Sequence, residues 1–301
     1  MTRALRELGE DKLLAQFFSR LNRNSRVVIG AGDDCAVVKF PGAKNWLLLK
    51  TDCVVEEVHF TKETNARAVG WKAMMRAFSD FAAMSGIPEF ALITLAAAGK
   101  KTESWVGELY RGLNRAAARF DVAIVGGETS ETAGPTVIVV SVAGFVERHR
   151  CLLRSNGKSN DDLFVTGELG GSIRGRHLRF VARIDEARWL TANFKVHAMM
   201  DLSDGLGTDL PRLARASKLG FTIDQDALPI SRGCTVQQAI SDGEDYELLF
   251  AISPRDRTRL EKFWRKKFPK LPLTRIGKLN RQSAISDQHL PCGYVHFSQR
   301  R

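Results

Sequence analysis

The sequence predicts two domains of α/β class (mixed α+β), the first over residues 1–147 and the second over 148–301. Three observations carry this. The chain has 301 residues, about two domains' worth at roughly 150 residues each. In both halves, apolar runs rich in β-branched residues alternate with segments whose apolar residues recur every three to four positions. Around 147–157 the alternation breaks at a basic stretch that carries Arg148, Arg150 and Arg154 and ends at Gly157. Alternating strands and helices are the pattern of layered α/β domains.

Each element follows from local chemistry. Residues 4–21 space Leu5, Leu8, Leu13, Leu14 and Phe17 as a helical stripe. Val27, Val28 and Ile29 are a short β-branched run that enters the glycine-broken segment 30–34. Residues 46–50 predict an apolar strand stopping at Thr51 and Asp52. Residues 64–85 predict a long helix, with Asn65 as its cap and Gly86-Ile87-Pro88 as its stop. A strand is expected over 90–98, a helix over 103–120 and a strand over 122–125 that ends at Gly126-Gly127. Residues 136–146 carry the longest β-rich run. In the second half, 163–167 predict a strand entering a glycine-rich turn, and 198–200 lead into Asp201. Helices are expected over 206–219 and 254–268, with a strand over 246–252.

Composition excludes several classes. Hydrophobic residues at 44% and charged residues at 26% are the balance of an ordinary globular chain. No apolar run approaches the roughly 20 residues that span a bilayer, so no membrane partner is expected. Residues 1–12 mix charges with leucines and lack the apolar centre of a secretory leader, so the cytoplasm is the expected compartment. The five cysteines are scattered and form no Cys-x-x-Cys pair, which argues against a disulfide framework or a zinc site. The net charge of +11 comes without any nucleic-acid-binding motif. Anionic small molecules are the better use for a few of these cations, and no nucleic-acid partner is expected.

The chemistry lies in acidic residues placed beside glycine or small residues at element ends. They are Gly32-Asp33-Asp34, Thr51-Asp52, Ser79-Asp80, Gly126-Gly127-Glu128-Thr129, Asp201-Leu202-Ser203-Asp204-Gly205 and Gly243-Glu244-Asp245. An aspartate before a helix commonly caps it, and Asp-Gly commonly turns, so each motif alone has a structural explanation. The set points further. Carboxylates that converge without cations repel, and some must protonate. Mg2+ takes hard oxygen ligands and is commonly shared between carboxylates and nucleotide phosphates. Phosphoryl transfer needs that arrangement, because negative charge spreads over the transferring group. The Gly-x-x-x-x-Gly-Lys-Ser/Thr loop, the protein-kinase motifs and the serine nucleophile elbow are all absent from the sequence.

Taken in chain order, these segments resemble the thiamine-monophosphate kinase family of the aminoimidazole-ribonucleotide-synthetase superfamily. The similarity includes Glu7-Leu8-Gly9-Glu10, Gly32-Asp33-Asp34-Cys35-Ala36, Thr51-Asp52 with Val58-His59-Phe60, and Ser79-Asp80-Phe81-Ala82-Ala83-Met84. It continues through Gly126-Gly127-Glu128-Thr129, Asp201-Leu202-Ser203-Asp204-Gly205-Leu206 and Gly243-Glu244-Asp245-Tyr246-Glu247-Leu248, and runs from Glu7 to Phe297. The resemblance implies an ATP-dependent phosphotransferase with Mg2+ as cofactor, ATP as co-substrate and thiamine monophosphate as acceptor. It implies metal ligands at Asp34, Thr51, Asp52, Asp80, Glu128, Asp201 and Asp204. ATP contacts are implied at Gly127, Glu128, Arg154 and Ser203, and substrate contacts at His59 and Glu244. No residue is assigned as an acid–base or covalent catalyst. A homodimer is implied, with N-terminal domains pairing, ATP sites near their junction, and the C-terminal domain completing the nucleotide and substrate site.

Some positions depart from the family's pattern. Its GGDT motif reads with Glu128, Ala77 stands at an asparagine position, and Asp242 precedes Gly243 where glycine is usual. Residues 167–183 are shorter than in the family, as though a helix were deleted, and Pro291 stands at an aromatic position. Two alternatives remain open: a related ATP-dependent synthetase, and a catalytically silent nucleotide-binding dimer. Single residues also have structural explanations. His59 can pack against Phe60, Arg154 can be a surface charge at the domain boundary, and Trp71, Met74 and Met75 fit a helix core.

Overall fold

The structure is a computed structural model that describes residues 5–18, 20–281 and 290–295. His296 and Phe297, which continue the last resembling motif, lie outside the described residues. Its elements in chain order are α1 (Leu5–Leu8), α2 (Glu10–Phe18), β1 (Val27–Ile29), β2 (Ala36–Val38) and β3 (Asn45–Val55). Next come α3 (Ala66–Ala83), β4 (Ile87–Ala97), α4 (Glu103–Arg119), β5 (Ala123–Glu131) and β6 (Val137–Glu147). Then follow β7 (Asp162–Thr166), α5 (Ile184–Asn193), β8 (Val196–Asp201), α6 (Leu206–Ala216) and β9 (Gly220–Ile223). The last are α7 (Val236–Ser241), β10 (Leu248–Ile252), α8 (Arg257–Lys267) and β11 (Leu273–Asn280). The class is mixed α/β, as expected.

The chain divides into two compact units that interleave. One is drawn from Asp34–Leu152 and Arg174–Asn193, the other from Met1–Asp33, Leu153–Ile173 and Phe194–Arg301. Between β7 and α5 the chain makes two 3-10 turns, Ser172–Arg174 and Arg176–Leu178.

In the first unit the strands run in the order β2, β3, β6, β4, β5. Neighbours are antiparallel except β4 and β5, which are parallel and joined through α4. The long β3–β6 ladder runs from Asn45 opposite Glu147 to Val55 opposite Val137. Strand alternation divides β6 cleanly: Ile138, Val140, Val142, Gly144 and Val146 are buried, while the residues that alternate with them are only half-buried. Helix α3 starts at Asn65, whose side-chain oxygen accepts the amides of Arg67 and Ala68, as an N-cap should. It lies against α4 at backbone distance, because a Cβ on Gly112 would stand 2.0 Å from the Arg67 carbonyl oxygen. Met74 and Met75 are fully buried, and the Trp71 indole donates to the Phe180 carbonyl at 2.7 Å. These three residues belong to the helix core. The sheet's other face is open, with Leu49, Phe90, Leu92 and Val125 all exposed.

In the second unit the strand order is β8, β10, β7, β11, β9, and all four pairings are antiparallel. Leu206, Leu210, Leu213 and Ala214 form the stripe that α6 buries against Val165, Met200, Leu249 and Ile276. Strand β10 begins two residues later than the sequence predicts. Glu244 and Tyr246 both hold positive φ, 54° and 53°, a conformation outside the β region.

Candidate active site

In the first unit, β3, α3 and the segment before β2 bring three candidate carboxylates into one region. Lys50 and Asp52 are two apart on β3 and share its helix-facing side. The Lys50 ammonium lies 2.7 Å from Asp80 Oδ1 on α3. Arg76, one turn earlier on that helix, donates from Nε to Asp52 Oδ2 at 3.1 Å and from Nη2 to Oδ1 at 3.3 Å. The Cys53 amide adds a bond to Asp52 Oδ1 at 2.8 Å. Asp34 and Asp80 are buried, and a carboxylate oxygen of one lies within 4.8 Å of one of the other. Burial alone would raise the Asp52 carboxyl, but Arg76, Lys50 and the Cys53 amide hold it below its ordinary value. Burial would likewise lower the Lys50 ammonium, yet the charges of Asp80 and Asp52 raise it above its ordinary value.

Other candidates in this unit stand apart from that group. The Thr51 side chain is exposed on the opposite face of β3, and its hydroxyl lies 3.0 Å from Ser141 Oγ on β6. Alternation along a strand makes this unavoidable, since neighbours point to opposite faces. Glu128 is exposed on β5 and accepts its own neighbour's amide, that of Thr129, at 3.0 Å. Gly127 is required by close approach, because a Cβ there would stand 1.7 Å from the Ile93 carbonyl oxygen. His59 closes the turn after β3. Its Nδ1 accepts the Val55 amide at 3.0 Å, which places any neutral-state proton on Nε2, and its carbonyl accepts the buried Lys72 ammonium at 2.6 Å.

The second unit gathers the remaining candidates. Asp201 is the last residue of β8 and is buried. The turn after it is strapped to the 243–246 motif: the Glu244 amide donates to Ser203 at 2.7 Å and the Tyr246 amide to Leu202 at 2.8 Å. Gly243, at φ 72°, lets this second turn approach, since a Cβ there would meet the Ser203 carbonyl oxygen at 3.1 Å. Asp245 in turn accepts the Gly170 amide at 3.1 Å, and the Ser172 hydroxyl donates to the Glu244 carbonyl at 2.6 Å. Asp201 therefore ends its strand, and Ser203, Asp204 and Glu244 lie on two turns joined by backbone hydrogen bonds. The chain near Pro291 docks here too, with the Tyr294 amide donating to the Asp204 carbonyl at 2.8 Å. The Arg154 amide donates to Asp33 Oδ2 at 3.3 Å, and its carbonyl accepts the Ser217 hydroxyl at 2.7 Å.

Two residues here escaped the sequence reading. Asp209, fully buried on α6, accepts the Asp204 amide at 2.9 Å. Arg212 binds both Asp204 and Asp209. Burial raises the Asp209 carboxyl, the charges of Asp204 and Asp201 raise it further, and Arg212 offsets part of this. The three-residue spacing of Asp209 and Arg212, one helical turn, was the available signal. The donor chemistry of both units fits Mg2+, since every candidate side-chain ligand offers hard oxygen.

Two family models match the chain, AIR synthase related protein, N-terminal domain, over residues 32–146, and AIR synthase related protein, C-terminal domain, over 133–283. Thiamine-monophosphate kinase from Rhodopirellula baltica is 34% identical over 95% of this chain and 97% of its own length. The Bacillus subtilis protein of the same name is 33% identical over 96% of this chain and 100% of its own. A solved structure described as AaThiL complexed with AMPPCP and TMP superposes with a TM-score of 0.81 at 31% identity, covering 94% of each chain.

Proposed function

Because this chain belongs to the thiamine-monophosphate kinase family, we propose that it transfers the γ-phosphoryl group of ATP to thiamine monophosphate, giving thiamine diphosphate and ADP. The observation that carries this reading is the carboxylate set Asp34, Asp52 and Asp80, held around β3 and α3, in a chain with relatives of that name along nearly its whole length. A structural neighbour described with both AMPPCP and TMP bound supports ATP and thiamine monophosphate as the substrates.

The acceptor phosphate is anionic at neutral pH, so no strong general base is needed. The chain's task is to align two anionic groups and to offset their charge. We assign metal binding to Asp34, Thr51, Asp52, Asp80 and Glu128 in one unit and to Asp201 and Asp204 in the other. Bound Mg2+ would supply charge stabilisation to the transferring phosphoryl group. Arg76 and Lys50 fix the orientation of Asp52 and Asp80 in advance, and Asp209 and Arg212 do the same for Asp204. Gly127, Glu128, Arg154 and Ser203 are assigned to ATP, with His59 and Glu244 assigned to thiamine monophosphate.

The open sheet face supports a homodimer. A trough of about 510 Å³ there is lined by Leu49, Thr51, Phe90, Leu92, Val125 and Ala143. Large exposed apolar patches mark interaction sites, and two-fold pairing would cover this one. Thr51 lies on this face, so pairing would carry it toward the junction at which ATP sites are expected. ATP as co-substrate supports the cytoplasm as the compartment of the reaction. No helix among the described residues is long and apolar enough to cross a membrane.

A coupled assay of ADP release tests the reading. Release that requires both thiamine monophosphate and Mg2+ is expected. Release that requires a different acceptor, or ATP binding without any release, would overturn it.

A further inference from the structure

We infer that the Lys50 ammonium is a resident cation of the acidic site, taking at Asp80 a position that a divalent ion would otherwise hold. The inference deepens the metal reading given above and rests on it.

Lys50 follows the apolar run Trp46 to Leu49 on a central strand, a place where lysine is rarely buried unless paired. Its side chain is only 24% exposed, and that of its partner Asp80 is 10% exposed. The separation of 2.7 Å is that of a charge-assisted hydrogen bond. Asp52, two residues along on the same strand face, adds a second negative charge that acts on the same ammonium. Asp34 brings a third carboxylate near Asp80.

The charge count decides what this does. The Lys50 ammonium makes the group around Asp80 less negative by one charge than its carboxylates alone would make it. A divalent ion is drawn by net negative charge and by vacant carboxylate oxygens. Lys50 reduces the first and uses one of the second, Asp80 Oδ1. It also holds Asp80 in place when no metal is bound. A site built this way stays ordered without metal and takes one divalent ion fewer than its carboxylate count invites.

The test counts ions on the full chain. Mn2+, followed by its paramagnetic resonance signal, is titrated into wild type, Lys50→Ser and Lys50→Met, with and without a non-hydrolysable ATP analogue. Melting of each protein is recorded in EDTA and in Mg2+. The expected result is one additional Mn2+ per chain in Lys50→Ser, and melting that depends on Mg2+ in both variants but hardly in wild type. Equal ion counts in all three proteins, with equal Mg2+ dependence of melting, would overturn the inference. So would failure of both variants to fold at any Mg2+ concentration, since the ion is expected to replace the ammonium. Failure of the kinase reading would appear separately, as wild type that forms no thiamine diphosphate while its ion count stands.

Discussion

At the scale of single residues, Asp52 and Asp80 are each held by a cation that sequence spacing does not identify. Asp80 lies four residues after Arg76, and that spacing predicts an ion pair along one helix. The structure pairs Arg76 with Asp52 and Asp80 with Lys50 instead. Both pairs join β3 to α3 and are part-buried, so they orient the carboxylates rather than decorate a surface. Asp52→Asn and Asp80→Asn each keep an oxygen for the partner cation and remove the negative charge. Each variant should fold, with stability lowered by on the order of 1–3 kcal/mol for the weakened buried pair. Each should lose about 100-fold or more in phosphoryl-transfer rate, the scale of losing an electrostatic contact to a transition state. Turnover measured alongside circular dichroism checks this, and wild-type rates in both variants would remove these residues from the site. The acidic motifs themselves were legible because each sits beside glycine or a small residue, although Asp52 and Glu128 lie inside β3 and β5 rather than at their ends. Asp209 and Arg212 were not, because their roles depend on how α6 places them under the Asp204 turn.

At the scale of elements, legibility followed the strength of local signals. The helix expected over 64–85 is α3, Ala66–Ala83, and its cap and stop were written in Asn65 and Gly86. The sequence predicts a strand that ends at Gly126-Gly127, yet β5 runs on to Glu131. Gly127 is there because β4 comes too close for a side chain, and only the paired strand reveals that. The sequence does not announce β11, because Arg275 and Lys278 interrupt its apolar pattern. The structure explains Arg275, which pairs with the buried Asp162 at 2.6 Å. The end of β6 is tied to α5 in a way that titrates. Glu147 takes Arg188 through both oxygens, at 2.6 and 2.7 Å. Hydrogen bonding to Arg188, above all, lowers its carboxyl to about 2. A carboxyl lowered on folding adds stability that is complete above its unfolded value of about 4.3. That stability is lost as pH falls toward the folded value. Glu147→Gln should therefore melt below wild type at pH 7, and the gap should close as pH falls from about 4.5 to about 2. A gap that stays constant over that window would show that the pair contributes nothing through its charge.

At the scale of the molecule, the two units interleave along the chain. The segment Arg174–Asn193 joins the unit built on β3 and α3, and no composition change announces it. Tertiary burial assigns it: Ile184, Ala187 and Leu190 of α5 are buried, and Arg188 binds Glu147. The fold class was legible because strand and helix periods alternate throughout. The open apolar face of the first unit's sheet belongs to this scale too. Light scattering should give twice the chain mass of 33.5 kDa, and Leu92→Glu, placed on that face, should shift the protein toward monomer. A wild-type monomer at working concentration would contradict the pairing. The central claim is the reaction itself, and its products can be read directly. Phosphorus NMR of the protein with ATP, Mg2+ and thiamine monophosphate should show thiamine diphosphate and ADP growing in equal amounts. ADP appearing with free phosphate and no thiamine diphosphate, or no change at all, would contradict the account.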